Sequence, residues 1–439
     1  MGVSFFCLLI FWGRGFKTAV PFGRFTEIAY FCVALNAIDM SSESFIRLLS
    51  QPLAVSVIVC GAVAVALLLF LAYIDVKYYL RVYRFCRKNA EKSETRKKEF
   101  LPPVSLIVYA CENAVSLRRN LPELFKQDYP DFEVVVVDDA STDETRDILN
   151  LYAERYPRLY STYVPSDACA LSRRKLAITL GFKAVRNDYV VVLDATCLPS
   201  SRYWLRNMMC HFSDGVDIVL GYTRFDMSSS RGACYAAYDR MLFSLRYLSC
   251  ALCGNPYMGE GTNVVYRKSL FFGHKGFSRT LNLRYGDDDL FINEVATPQN
   301  TRVEISPESR VDVCTDDFIS LWRMSKLRYC FTAPYLRHSR RYLFAFEQLS
   351  VYLFYAALVA MSVIQPSYPA VWGAVLLLLL WRGIMQTWVY KRLARTMDMP
   401  LLGMKVLLYE WSRPWVDLYY YFSARRRKEE NYTWCRMKI

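Results

Sequence analysis

The chain has 439 residues, 54% of them hydrophobic and 22% charged. That balance excludes an intrinsically disordered chain, and the length admits one or two domains with extra segments. The formal charge of +14, from 55 Lys and Arg against 41 Asp and Glu, points to nucleic acid, an anionic membrane surface or an anionic substrate, depending on where it lies.

Residues 1–52 form an N-terminal extension. Its short apolar run, Phe5 to Trp12, precedes Arg14 and Lys17, the reverse of the order in a signal peptide. Met40 opens a polar lead, so Met40 is the expected start and 1–39 a misassigned extension. Residues 53–74, Leu53 to Ile74, carry no charge and are long enough to cross a bilayer. Residues 75–99 follow with nine basic and four acidic side chains. The positive-inside rule then places everything after Ile74 in the cytoplasm.

Residues 100–340 read as one α/β domain. Val104 to Ala110, Phe132 to Val137, Leu159 to Val164 and Tyr189 to Leu193 have the apolar runs of buried strands. Leu117 to Gln127, Thr145 to Tyr156 and Arg173 to Val185 have helical spacing between them. Strands alternating with helices predict a parallel sheet with right-handed crossovers, and ligands of such sheets bind beyond the carboxyl ends of the strands. Two strands end in acid, at Asp138-Asp139 and at Asp194. One such carboxylate suits a base or ribose, the other a divalent cation beside a diphosphate. Asp143 and Ser141 read as turn or helix-cap residues. Further on lie a Gly-rich turn, Tyr257 to Asn263, and the acidic triplet Asp287-Asp288-Asp289. Three adjacent carboxylates repel one another unless one is protonated, paired or metal-bound; such a group can serve as a general base or as a solvated helix start.

Residues 343–390 read as a transmembrane hairpin turned at Gln365 to Pro369, with Lys391, Arg392 and Arg395 following it. Residues 391–439 form a basic tail, in which 401–423 suits an amphipathic helix at the membrane surface and Arg425 to Lys428 face anionic headgroups. Eleven of the fourteen net positive charges lie in 75–99 and 391–439. The intervening domain is nearly neutral, which disfavours nucleic acid as a partner. The 14 Cys are scattered, with one CxxC (Cys250, Cys253), and His211, His274 and His338 are the only histidines. Zinc is poorly supported, and the cysteines, among them Cys60, Cys197 and Cys330, read as small apolar thiols kept reduced on a cytoplasmic face.

Taken together and in order, PPVSLIVYACENAVSLRRNLPELFKQDYPDFEVVVVDDASTDET, RRKLAITLGFKAV, LDATCLPSSRYWL, MGEGTNVVYRKSLFFGHKGF and GDDDLF resemble family-2 glycosyltransferases of the GT-A fold, especially bacterial membrane-anchored ones. The resemblance covers about 100–340. It implies a Rossmann-like nucleotide-diphospho-sugar transferase domain with one N-terminal and two C-terminal transmembrane helices. It also implies Asp139 as the base-contacting carboxylate with Asp138 beside it, Ala110 and Glu112 lining the base pocket, and Lys175 near the diphosphate. Asp194 would be the first Asp of a motif holding Mn²⁺ or Mg²⁺, and Asp287 or Asp288 the catalytic base. Gly259, Glu260, Gly261, Asn263, Trp322 and Arg328 would lie on the acceptor side. The implied chemistry is inversion at the anomeric carbon, from a nucleotide-diphosphate sugar to a lipid-linked or cell-surface glycan acceptor. The implied place is the cytoplasmic face of a bacterial inner membrane.

Three departures qualify it. Thr196 replaces the second Asp of the metal motif, and a neutral hydroxyl is a poor ligand for a hard cation. The first loop reads Glu112-Asn113 where many relatives have Asn-Glu. The Gln-x-x-Arg-Trp of polymerising members corresponds to Ser325 to Tyr329, which keeps only Arg328. Two alternatives stand beside the leading reading: a catalytically weakened nucleotide-binding or scaffold subunit of a polysaccharide assembly, and a small processive polysaccharide synthase.

Overall fold

The computed structural model describes residues 53–90, 101–168, 170–225, 234–315, 317–336 and 340–426. The expectations for 1–52, including Met40 as the start, and for the tail beyond 426 lie outside the described residues.

Helix α1 (Val55–Ile74) is uncharged and runs through a π-helical turn, Asp75–Tyr79, into α2 (Leu80–Ala90). The basic stretch expected as a linker over 75–99 is therefore helical as far as Ala90. Val55–Asn89 is long and apolar enough to cross a membrane.

The α/β domain opens with β1 (Val104–Ala110), all seven residues buried. Next come α3 (Ala114–Leu124), β2 (Phe132–Asp138), α4 (Thr145–Arg155), β3 (Leu159–Tyr163), α5 (Arg173–Ala184) and β4 (Tyr189–Asp194). Strands covered on both faces read as continuous apolar runs, which is why these elements show in the sequence. At Gly181 a Cβ would lie 2.6 Å from Ile107, so the glycine lets α5 close onto β1. Asp143 does cap: its carboxylate accepts from the Ala114 and Thr145 amides at 2.9 and 3.0 Å.

Beyond β4 the elements shorten: β5 (Cys197–Pro199), α6 (Trp204–Met209), β6 (Ile218–Leu220) and β7 (Thr223–Phe225), then the longer α7 (Cys234–Leu252). β8 (Val264–Arg267), α8 (Lys268–Gly273), α9 (Asp289–Val295), β9 (Thr301–Val303) and β10 (Val311–Val313) complete the domain, and α10 (Phe318–Thr332) leaves it. The main sheet has seven strands in the order β3-β2-β1-β4-β8-β6-β9. Its first four strands are mutually parallel, as expected. β8 runs antiparallel to both β4 and β6, so the sheet is mixed rather than wholly parallel. β5, β10 and β7 form a second, small sheet.

Three long helices follow: α11 (Arg340–Ile364), α12 (Pro369–Thr396) and α13 (Lys405–Arg426). Pro369 starts α12, where its missing N–H costs nothing. Tyr342–Ile364 and Pro369–Thr396 are long and apolar enough to span, and the turn between them falls where the sequence places it. α13 exposes apolar side chains such as Trp411, Trp415 and Leu418 on one side and turns charged ones to the other. Its charged side chains Glu410 and Arg413 are buried and pair with Arg382 and Asp239, so this polar face meets protein.

Candidate active site

From β1 the chain steps to β2 and β3 on one side, while β4 lies on the other. The crevice at the carboxyl ends of β1 and β4 is thus a topological switch point, the usual ligand position in such sheets. Register brings the acids there: Ala110 pairs with Asp138 and Tyr109 with Asp194. Asp138 closes the turn after β2, accepting from the Ser141 amide at 3.1 Å. Asp139 accepts from the Tyr109 hydroxyl at 2.8 Å and from Arg173 Nε at 2.8 Å. Ala110 is fully buried; it acts through its carbonyl, which accepts from the Asp139 amide at 2.8 Å.

The loops after β1 and β2 are tied together. The Glu112 carboxylate accepts from the Thr142 amide and hydroxyl at 2.8 and 3.0 Å, and its own amide donates to Ser141 Oγ at 3.0 Å. Glu112 and Ala140 both have left-handed backbone, φ 54° and 51°, a costly conformation that non-glycine residues hold mainly at functional sites. Cys111, next in line, is disulfide-bonded. The expectation of reduced thiols fails there, although Cys60, Cys197 and Cys330 carry free thiols.

Helix α5 supplies the positive groups. Ser172 caps it, accepting from the Lys175 amide at 3.3 Å. Arg173 and Arg174 then point at the strand ends. Arg174 is buried over the Tyr109 ring, 4.6 Å from its centroid. Its guanidinium meets Asp194 at 2.6 Å and Asp287 at 2.7 Å. Burial works against its charge, but Asp194 and Asp287 more than offset this and raise its pKa. Lys175, expected near the diphosphate, points elsewhere. Its ammonium donates to the Thr280 and Leu283 carbonyls at 2.6 and 2.8 Å, and burial pulls its pKa down to about 8. One helical residue is a rotation of roughly 100°, enough to separate the two side chains.

The acidic triplet is fully engaged. Arg328 on α10 bridges Asp287 at 2.8 Å and Asp288 at 2.6 Å. Burial alone would raise the Asp287 carboxyl, yet Arg328 and Arg174 hold it down at about 2. Asp288 caps α9 and also accepts from the Gly261 amide at 3.2 Å and the Tyr329 hydroxyl at 3.0 Å. A Cβ at Gly261 would lie 2.8 Å from the Asp288 Cβ, so only glycine allows this approach. Asp289 pairs with the Thr332 hydroxyl; burial, then repulsion from Asp288, pushes its carboxyl up to about 8.

The acceptor-side residues divide. Gly261 and Arg328 touch the triplet. Glu260 is buried against Arg240, and Gly259 packs on Ile292 and Leu220. Asn263 is a buried cross-link, accepting from Trp204 Nε1 at 3.1 Å and donating to the Tyr222 and Ser309 carbonyls at 2.9 and 3.1 Å. Trp322 donates to Asp239 at 2.9 Å and lines a groove of about 740 Å³ between α7, α10, α11 and α13. Tyr329 and Asp289 stand at its domain end, Phe344 and Tyr352 on α11 at its membrane-helix side. Sequence reading missed Arg174, Tyr109 and Tyr329; the Arg-Arg-Lys run was the one available signal, and helix phase decided which of its members counts.

The metal expected at Asp194 does not fit these residues. A hard divalent cation wants several oxygen ligands, and among the described residues no three His, Cys, Asp or Glu side chains are grouped to hold one. Thr196 offers only a hydroxyl, and the Asp194 carboxylate is already met by the Arg174 guanidinium.

A GT-A fold is what this sheet, with its crevice at the strand ends, defines. A mannosyltransferase from Pyrobaculum calidifontis, solved with GDP-Man and Mn²⁺, superposes with a TM-score of 0.51 at 20% identity, covering 82% of this chain and 99% of its own. Residues 105–272 match the profile of glycosyl transferase family 2. YdaM of Bacillus subtilis, named a probable glycosyltransferase, is 32% identical over 123 residues, 27% of this chain and 28% of its own length. TuaG of the same organism, named for teichuronic acid biosynthesis, is 30% identical over 94 residues, 21% of this chain and 36% of its own. The matched segments therefore span about a third of these relatives.

Proposed function

We propose that the chain is an inverting glycosyltransferase that moves a sugar from a nucleotide-diphosphate sugar to a lipid-linked or cell-surface glycan acceptor at the cytoplasmic face of the membrane. One observation carries the reading: Arg173 and Arg174, adjacent on α5, gather Asp139 from the end of β2, Asp194 from the end of β4 and Asp287 from the acidic turn. Donor-side and acceptor-side carboxylates thereby share one crevice. The match of 105–272 to the family-2 profile, the GDP-Man of the Pyrobaculum enzyme and the name of TuaG support a nucleotide sugar and an envelope glycan. The groove from Tyr329 to α11 supports an acceptor arriving from the lipid side, and the basic residues after α1 and within α12 support the cytoplasmic face.

In this reading Asp139 and the tied loops after β1 and β2 seat the nucleoside. Asp287, held at about 2 by two arginines, is too acidic to be a good base near neutral pH. Asp288, bonded to Tyr329 at the groove, takes the acceptor hydroxyl proton. The acceptor oxygen attacks the anomeric carbon, and the C1–O bond breaks with its electron pair leaving on the nucleoside diphosphate. The test incubates full-length protein in detergent with a panel of nucleotide sugars and lipid extract. Release of nucleoside diphosphate and an inverted anomeric signal in the product are expected. Binding of nucleotide without any turnover would favour the scaffold reading instead.

A further inference from the structure

Positive charge at this crevice comes from a side chain, not from a ligand set. Arg174 is 6% exposed and is fixed from three directions: Asp194 at 2.6 Å, Asp287 at 2.7 Å and the Tyr109 ring beneath it. Its guanidinium occupies the carboxylate that a divalent ion would need, and the next expected ligand is the hydroxyl of Thr196. A bound ion and a buried guanidinium compete for the same oxygens, and this arrangement favours the guanidinium. Its planar donor set and permanent charge suit phosphate oxygens. Arg173, 29% exposed and bonded to Asp139, adds a second guanidinium on the solvent side. Tyr109 and Asp287 hold the first cation in position before any ligand arrives, as electrostatic stabilisation of a leaving group requires.

We propose that the Arg174 guanidinium takes the place of the divalent cation, so that the chain binds its nucleoside diphosphate, and releases it after transfer, without a metal ion. The inference rests on the nucleotide-sugar reading of the site. As the C1–O bond breaks, the electron pair stays on the β-phosphate oxygen and this cation faces the added negative charge. The acceptor proton goes to Asp288, and nothing is oxidised or reduced.

The test is calorimetric titration of the full chain in detergent with UDP and GDP, and with UMP and GMP, first in EDTA and then in excess Mn²⁺. Wild-type affinity for the diphosphate is expected to agree within about threefold between the two conditions. Arg174→Gln should lose about ten- to a hundredfold in diphosphate affinity, the scale of a charge-assisted hydrogen bond, and much less in monophosphate affinity. Arg174→Lys, which keeps the charge, should recover most of the loss and guards against a folding defect in the first variant. A tenfold or greater gain from Mn²⁺ in wild type would overturn the inference while leaving the function intact. So would diphosphate binding by Arg174→Gln equal to wild type. Absence of nucleotide binding in every condition would overturn the nucleotide-sugar reading and the inference with it.

Discussion

Two buried charge clusters invite comparison. At the sheet ends, Arg174 and Arg328 bind Asp194, Asp287 and Asp288, groups that come from α5, β4, the acidic turn and α10 and surround a crevice. Where the domain meets the long helices, Asp239 on α7 takes Lys326 at 2.7 Å and Arg413 at 3.5 Å. Nearby, Arg382 joins Asp75 at 3.1 Å and Glu410. Both sets are almost wholly desolvated. They differ in what surrounds them. The first lies among the left-handed turns and loop ends of the strand-end crevice; the second is sandwiched between helices and links the π-helical turn after α1 to α7, α10, α12 and α13. Burying charge is costly unless it is paired, so the first set stores electrostatic potential at a site, whereas the second holds the domain on its helices.

Substitutions should therefore act on catalysis in one cluster and on stability in the other. The largest effect is expected at Asp288. Asp288→Asn keeps a good helix cap for α9 but removes the proposed base. A loss of about 10²–10⁴ in kcat is the expected result of steady-state assays, with nucleotide affinity nearly unchanged and a lower melting midpoint, because Arg328 keeps only Asp287 as its buried carboxylate partner. An equal effect from Asp287→Asn would move the base to that residue. Next in size is Arg382→Ala, which strands Asp75 and Glu410. Breaking one partner of a buried pair costs about 3–5 kcal/mol; a large drop in melting midpoint is expected, with nucleotide affinity unchanged in the protein that remains folded. Recovery in Arg382→Met combined with both Glu410→Gln and Asp75→Asn would confirm that the stranded charges, rather than lost shape, are at fault.

The two clusters also differ in how far the sequence discloses them. Strand ends are legible because β1, β2 and β4 are apolar on both faces and stop at Asp138, Asp139 and Asp194. The Gly-rich turn and the triplet are legible as motifs, and so is Arg328. What the sequence does not disclose is side-chain direction. Lys175 and Arg174 are neighbours in the chain and face different surroundings, and Asn263 sits within a glycine motif yet serves as an internal tie. Three-residue strands such as β5, β7 and β10 are too short to show a period. The helix at 405–426 has the charge pattern of a surface helix, and only its packing shows that Glu410 meets Arg382 on α12, Arg413 meets Asp239 on α7 and Asp417 meets Lys326 on α10. Pairing of Cys111 depends on tertiary proximity that spacing cannot supply.

The smallest expected effect sharpens the comparison from within the first cluster. Asp289 sits beside Asp288 in the turn, and burial sets its charge state. In the unfolded chain its carboxyl ionises near 3.8; in the fold it keeps its proton to about 8. Between those values the native state holds the extra proton, so the contribution to stability is complete below about pH 4 and is lost as pH rises toward 8. Wild-type melting midpoints should fall from pH 5 to 7.5, by about 2–4 °C for each kcal/mol. Asp289→Asn, which cannot ionise, should show a flatter profile over the same range. The upper limit matters, because Lys175, pulled down to about 8, contributes stability of the opposite pH dependence above that point. Parallel profiles for wild type and Asp289→Asn would mean that Asp289 is ionised in the fold. The Thr332 contact would then join two groups of which only the hydroxyl donates, and the acidic turn would carry three negative charges against Arg174 and Arg328.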